Sequence, residues 1–293
     1  MIFHHCTMAS QPLVSIIVPA YRAEGTIAFT IRSVLQQTYD RWQVAIGVDD
    51  QVDYLQLLAQ QGIDDPRLKQ VFTGGMGSGE AIARNKAVSI CDGDILANLD
   101  ADDAFAPDRL ERLVPLVEEY GVAIDNTGVY NSELVLYKQP FPQRRELSFA
   151  TAADILSPRI PFFPVFQRRF LGNGWTKVPF AADVLFNLEL LSRTEKVAIH
   201  PEPLYRYYKR DNSITQSANA FETAEKAYLA ILSLLDQGAL TLTPSIRQAA
   251  RQEFSENLAL NKVFRRYMEE GRCQNLEQFL DMTNNGRQII GED

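Results

Sequence analysis

The chain has 293 residues, 46% hydrophobic and 23% charged, which excludes wholesale disorder and leaves room for one large or two small domains at ~100–200 residues each. A formal net charge of −8 argues against a general nucleic-acid binder, whose phosphate contacts need clustered cations. Cys6, Cys91 and Cys273 are odd in number and far apart. They give neither a disulfide framework nor metal-ligand spacing, so a reducing, cytoplasmic setting is expected.

No apolar run approaches the ~18–20 residues of a membrane span. Met1 to Gln11 lacks the basic-then-apolar order of a signal peptide and reads as a flexible tail. His4, His5 and Cys6 lie on that tail and are not read as metal ligands.

The chain then alternates strand and helix patterns. Val14 to Val18 is an apolar run with only Ser15 polar, expected as a strand buried on both faces. Ile27, Ile31, Val34 and Leu35 repeat as one face of a helix. Trp42 to Val48 reads as a second strand, ending at Asp49–Asp50. Leu55 and Leu58 mark a short helix. Leu68 to Phe72 reads as a third strand, followed by Gly74, Gly75, Gly77 and Gly79. Ala83, Ala87, Ile90 and Cys91 form another helical stripe. Ile95 to Leu99 is a fourth strand, and a helix is expected from Pro107 to its cap at Gly121, with a kink at Pro115.

Alternation of this kind predicts an α/β fold with an open, mostly parallel sheet covered on both faces. Right-handed crossovers gather the strand C-terminal ends on one edge, where ligands bind. Val129 to Tyr208 is irregular, with Pro158, Pro161, Pro164, Phe162, Phe163 and Phe166 crowded together. That segment could shape an acceptor pocket or simply pack. From about Phe221 the pattern is helical; those helices could support a homodimer or cover the sheet. Arg265, Arg266 and Arg272 offer a peripheral membrane contact, but Glu269 and Glu270 dilute their charge and favour a solvated face.

Three carboxylates, Asp100, Asp102 and Asp103, follow the fourth strand. Bunched negative charge is costly unless a cation sits there, and hard divalent cations bridge carboxylates to phosphates. An acidic turn capping the next helix is the alternative. Asp49–Asp50 and Pro19-Ala20-Tyr21 end other strands on the same edge. An aromatic face can stack on a base and a carboxylate can accept from its N–H. Together these are the parts of a nucleotide pocket.

Val14-Ser-Ile-Ile-Val-Pro-Ala-Tyr21 and Ser33-Val-Leu-Gln-Gln-Thr-Tyr39 resemble the opening of family 2 glycosyltransferases of GT-A fold. Ala83-Arg84-Asn85-Lys86-Ala87, Gly93-Asp94-Ile95, Leu99 to Asp103, Pro201 to Arg206 and Asn212 to Thr215 continue the resemblance. It implies a GT-A domain over residues 12–215, after the tail 1–11 and before a helical extension over 216–293. It further implies a nucleoside-diphosphate sugar donor, with uridine diphosphate the first guess, and Mn²⁺ or Mg²⁺. The acceptor would be a glycan, a lipid-linked sugar or a small molecule.

By the same resemblance Pro19, Ala20 and Tyr21 border the base and ribose, and Asp50 contacts the base. Arg84 lies near the phosphates. Asp100-Ala101-Asp102 is the DXD motif, with Asp102 the main metal ligand and Asp100 near ribose and metal. The base is an aspartate after a Gly-Trp pair. Here Gly174-Trp175 leads to Asp183, with Ala182 where the family usually has glutamate. Asp183 could also cap the helix that follows it. Arg210 stands where a metal-contacting histidine is usual, and as a cation would neutralise diphosphate instead. Gln51-Val52-Asp53 replaces a Gly-Ser-rich run.

Two other readings compete. A degenerate transferase could bind nucleotide sugar without turning it over. A dinucleotide-binding oxidoreductase is suggested by Thr73 to Gly79 before a helix, but the glycines lack G-x-G-x-x-G spacing and two strands precede them.

Overall fold

The computed structural model describes residues 11–131, 133–157, 160–209, 220–274, 278–279 and 282–283. Its first half alternates as expected: β1 (Val14–Ala20), α1 (Ile27–Leu35), β2 (Trp42–Val48), α2 (Tyr54–Gln60), β3 (Leu68–Phe72), α3 (Glu80–Val88) and β4 (Ile95–Asn98). The strands lie parallel in the order β3-β2-β1-β4. Ile27, Ile31 and Val34 of α1 join one core with Ile16 and Val18 of β1. The opposite face carries Ile17 and Ala45 with Ala81 and Ala87 of α3. Burial on both faces is why β1 and β2 are mostly apolar; the polar exceptions, Ser15 and Gln43, satisfy each other, Gln43 Nε2 donating to Ser15 Oγ at 2.9 Å. Gly47 sets the approach of α3: a Cβ there would lie 2.0 Å from the Ala83 carbonyl oxygen.

Beyond β4 the eight-stranded sheet becomes mixed. β10 (Val165–Gln167) inserts antiparallel between β4 and β6 (Val122–Asp125); β11 (Ala198–His200) is parallel to β6, and β9 (Ser148–Phe149) forms the edge. The segment read as irregular therefore supplies an interior strand. It escapes periodicity because β10 is three residues long, with Pro164 before it and a 3-10 turn at Arg168–Phe170 after it. Phe162, Phe163 and Phe166 are at most 3% exposed, so they pack the core.

α4 (Arg109–Tyr120) begins two residues after Pro107, with Asp108 at its N-cap, and ends at Gly121 with φ 83°. No side chain of Asp108 caps it. Gln37 does this from a distance: its Oε1 accepts from Leu110 N–H at 3.1 Å and its Nε2 donates to Ala106 O at 2.7 Å. Ser33 Oγ accepts from Phe105 N–H at 3.1 Å, and Thr38 N–H reaches Pro107 O at 2.9 Å. The Ser33–Tyr39 segment thus clamps the chain just after the acidic loop.

A second sheet has the order β5 (Ala104–Phe105), β12 (Tyr205–Tyr208), β7 (Gly128–Tyr130), β8 (Leu136–Lys138). The remaining helices are α5 (Ala152–Leu156), α6 (Ala182–Arg193), α7 (Ala220–Asp236) and α8 (Pro244–Glu269). Ile231, Leu235 and Phe254 of α7 and α8 pack on Ile155, Leu185 and Leu188 of α5 and α6. Arg265 pairs with Glu269 at 2.9 Å and Arg272 with Glu270 at 3.4 Å, all half-exposed, the solvated face expected. Among the described residues no helix is long and apolar enough to cross a membrane.

Candidate functional site

The C-terminal ends of β1, β2, β3 and β4 bring the sequence-predicted groups to one edge. Pro19 and Ala20 finish β1, and Tyr21 follows with its side chain exposed. Asp50 is buried and acts first as a knot. Its Oδ1 accepts from Val52 N–H at 3.2 Å; its Oδ2 accepts from the Tyr54 hydroxyl at 2.6 Å and from Arg22 N–H. Burial and that bond to Asp50 push the Tyr54 hydroxyl up. The non-glycine residues Arg22 and Gln51 beside the knot adopt positive φ.

Asp49 explains the glycine cluster. Its carboxylate accepts from the Thr73 hydroxyl at 2.7 Å and from Gly79 N–H at 2.9 Å, while its carbonyl takes Gly77 N–H at 2.9 Å. Burial opposes its charge, yet these donors hold its carboxyl below the usual range. Gly74, Gly77 and Gly79 all adopt positive φ, open to glycine at little cost. The start of α3 is therefore satisfied by the chain's own carboxylate, and Glu80 follows it. This is a lashed loop, not an open pyrophosphate cradle.

Arg84, 1% exposed, sits where α3 meets the acidic loop. Its Nη2 pairs with Asp100 and lies 2.7 Å from Glu80, one turn earlier on α3. Burial works against the guanidinium, but Glu80 and Asp100 outweigh it and hold its pKa up. Burial raises Asp100; Arg84 opposes that rise, and Glu80, Asp102 and Asp183 add to it. The Nε and Nη1 atoms of Arg84 are buried without a hydrogen-bond partner.

The acidic run divides in two. Asp103 turns inward, wholly buried, and accepts from the Tyr205 hydroxyl at 2.8 Å and Tyr208 N–H at 2.9 Å. The Tyr205 hydroxyl in turn accepts from Asp100 N–H at 3.0 Å. Asp103 thus fixes the loop to β12 and leaves the outer part to Asp100 and Asp102. Tyr205 is held from behind by a pair that sequence reasoning missed. Asp125 accepts its backbone N–H and binds Arg109 through Nε at 3.0 Å and Nη2 at 2.8 Å. Nothing in local periodicity links Arg109 to Asp125; the pair forms only because α4 packs against β6.

Asp183 lies in the first turn of α6. The helix-cap alternative is corrected: Ala181, at φ 64°, occupies the N-cap and Asp183 is two residues on. Burial, then the charge of Glu80, pushes its carboxyl up to about 6, against Arg84 and the N–H groups of Val184 and Asp183. One electrostatic neighbourhood therefore joins Asp100, Arg84, Glu80 and Asp183. Glu80 was not foreseen as a member; its place one turn before Arg84 was the available signal.

Gly174-Trp175 connects α6 to this neighbourhood. Asn85 reads the Trp175 backbone twice, donating to its carbonyl at 2.8 Å and accepting its N–H at 2.9 Å. Gly174 has φ 76°, and a Cβ there would lie 2.2 Å from Asn85 Oδ1. Gly174→Ala is expected to lose about 1–3 kcal/mol of stability through strain and the displaced Asn85, read as a lower denaturant midpoint. An unchanged midpoint would show that Asn85 can move aside freely. Arg210 lies outside the described residues.

Comparison with known proteins gives the class. The family model for glycosyl transferase family 2 matches residues 15–175, and the chain belongs to that family. The match ends before Asp183. The chain is 34% identical over 134 residues to the Escherichia coli UDP-Glc:alpha-D-GlcNAc-diphosphoundecaprenol beta-1,3-glucosyltransferase WfgD, covering 45% of this chain and 52% of that one. It is 37% identical over 119 residues to the putative teichuronic acid biosynthesis glycosyltransferase TuaG of Bacillus subtilis, covering 40% and 47%. It thus spans about half the length of these curated relatives. Staphylococcus aureus TarS 1-349 in complex with UDP-GlcNAc superposes with a TM-score of 0.64 at 18% identity, covering 84% of this chain and 72% of that one. The Pyrobaculum calidifontis mannosyltransferase PcManGT with GDP-Man and Mn²⁺ gives 0.58 at 15%, covering 96% and 81%. The shared fold is GT-A, a mixed sheet with helices.

Proposed function

We propose that the chain transfers a sugar from a nucleoside-diphosphate sugar to an acceptor hydroxyl, with inversion at the anomeric carbon. The observation that carries this is the electrostatic neighbourhood that Asp183 shares with Glu80 and the Arg84–Asp100 pair, after β4 at the edge where the strand ends gather. The exposed Tyr21 ring stacks on the base, bordered by Pro19 and Ala20, and Asp50 contacts a base N–H. Uridine diphosphate is the first choice, supported by the UDP-GlcNAc complex of TarS. The acceptor is a glycan, a lipid-linked sugar or a small molecule; the named substrate of WfgD favours the lipid-linked class.

Among the described residues no three His, Cys, Asp or Glu side chains gather to hold a metal unaided. The donor set still fits a hard cation that completes its shell with diphosphate oxygens and water. Burial raises Asp100, and the charges of Glu80, Asp102 and Asp183 add to that rise against Arg84; a cation would relieve those charges. Asp102 and Asp100 would hold Mn²⁺ or Mg²⁺, which supplies charge stabilisation for the departing diphosphate. Arg84 keeps a fixed positive charge on the phosphate side. Asp183 takes the acceptor proton as the acceptor oxygen bonds to the anomeric carbon. The bond from that carbon to the diphosphate oxygen breaks on the opposite face, and the nucleoside diphosphate leaves.

A thermal-shift panel with UDP, GDP, dTDP and NADH, each with and without Mn²⁺, tests the donor half. Saturating UDP at about a hundred times its dissociation constant should add about 2.7 kcal/mol to stability. That gain should need Mn²⁺, vanish with EDTA and vanish in Asp102→Asn. A metal-independent rise with NADH alone would overturn the reading. Binding without turnover would leave the degenerate transferase.

A further inference from the structure

The outer face of the second sheet carries an unbroken apolar row. Leu136 of β8 pairs with Tyr130 of β7, and Tyr130 with Tyr208 of β12. The Tyr208 ring lies 5.4 Å from Tyr130 and 5.3 Å from Phe29 of α1. Gly128 lies beneath the row. A Cβ there would come within 2.9 Å of the Tyr130 ring and 3.0 Å of Leu136 Cδ1, so both side chains fold across one face. The opposite side is spoken for, since Val129 is buried and Tyr207 packs on the main core. Next to the row the β7–β8 turn exposes Leu134 (61%) and Val135 (53%), with Phe29 at 42%. Leu134 is held at φ 61°. β8 is exposed along its whole length and forms the sheet edge.

Apolar surface this continuous marks an interaction site, and charge selects its occupant. The whole chain carries −8, yet the β7–β8 hairpin and β12 region, residues 128–138 and 204–209, hold three cations, Lys138, Arg206 and Lys209, against one carboxylate, Glu133. Arg206 lies two residues from Tyr208 on β12, on the same face. Aliphatic tips, tyrosines with an apolar body and a polar end, and flanking cations suit the boundary between lipid tails and anionic headgroups. We propose that the Leu136–Tyr130–Tyr208–Phe29 row and the hairpin tip dock on an anionic lipid surface. Asp103 ties β12 to the acidic loop, so docking would hold the candidate site beside the membrane. The surface stands independently of the transferase reading.

Vesicle co-sedimentation of the full chain tests it. The chain should sediment with vesicles of equal parts phosphatidylglycerol and phosphatidylcholine, weakly with phosphatidylcholine alone, and be released by high salt. The double variant Leu134→Asp, Val135→Asp should lose at least tenfold in binding with an unchanged melting temperature. Leu229→Asp, at an exposed apolar position on α7, should bind as the parent does. Failure of the parent to sediment would overturn the proposal, as would equal sedimentation of the double variant. A parent dimer that the double variant dissociates, without vesicle binding, would assign the face to a second copy instead.

Discussion

Asp183→Asn should lower turnover by about 10²–10⁴-fold, the range a positioned general base supplies, while Mn²⁺-dependent UDP binding stays unchanged. The acceptor hydroxyl keeps its proton far above neutral pH, so attack without a base is slow. Asparagine keeps the shape and the helix-start contacts but cannot take a proton. The parent's pH profile gives an independent reading. Asp183 must be ionised to act, and its carboxyl is pushed up to about 6 by burial and Glu80. The rate should therefore fall as pH drops through about 6, and a bound cation would move that limb lower. Glu80→Gln removes one of the charges that raise it, so the limb should move further to acid. Near-normal transfer by Asp183→Asn would remove Asp183 from the role. Loss of UDP binding along with turnover would make it structural.

Much of the scaffold was legible because its elements are long and buried on both faces. β2 and β3 run over the residues predicted, Trp42–Val48 and Leu68–Phe72: β2 is buried throughout and stops at two acids, and β3, though partly exposed, stops at the glycine cluster. The edge that gathers Tyr21, Asp50 and the acidic loop followed from the alternation itself. What stayed hidden depends on contacts between residues distant in sequence. Gln37 capping a helix at Leu110 is one case. The division of labour among Asp100, Asp102 and Asp103 is another. Three carboxylates in a row look equivalent until Tyr205 and Tyr208 claim one of them. Asp49 and Asp50 likewise looked alike, though one lashes the glycine loop and the other knots the loop after β1. β10 was invisible because three residues between prolines and a tight turn carry no period.

Asp125→Ala should cost on the order of 3–5 kcal/mol of stability, the usual penalty for leaving one partner of a buried ion pair uncompensated. Both side chains are at most 1% exposed. Arg109 Nη2 would keep only its bond to Phe163 O at 2.6 Å, and Nη1 already lacks a partner. The guanidinium lies 4.3 Å over the Phe105 ring and 5.2 Å over that of Tyr205. Those faces ease its burial but cannot replace a carboxylate. Tyr205 N–H would lose its acceptor as well. The damage should reach the candidate site, because Tyr205 holds both Asp103 and the Asp100 backbone. Urea denaturation would read the stability loss, and UDP titration with Mn²⁺ a weakened affinity in the fraction still folded. The double replacement Arg109→Met, Asp125→Leu should recover much of the stability, since it leaves no buried charge unpaired. If Asp125→Ala alone costs less than about 1 kcal/mol, water or another acceptor must reach Arg109. The pair would then not be what fixes Tyr205 behind the acidic loop.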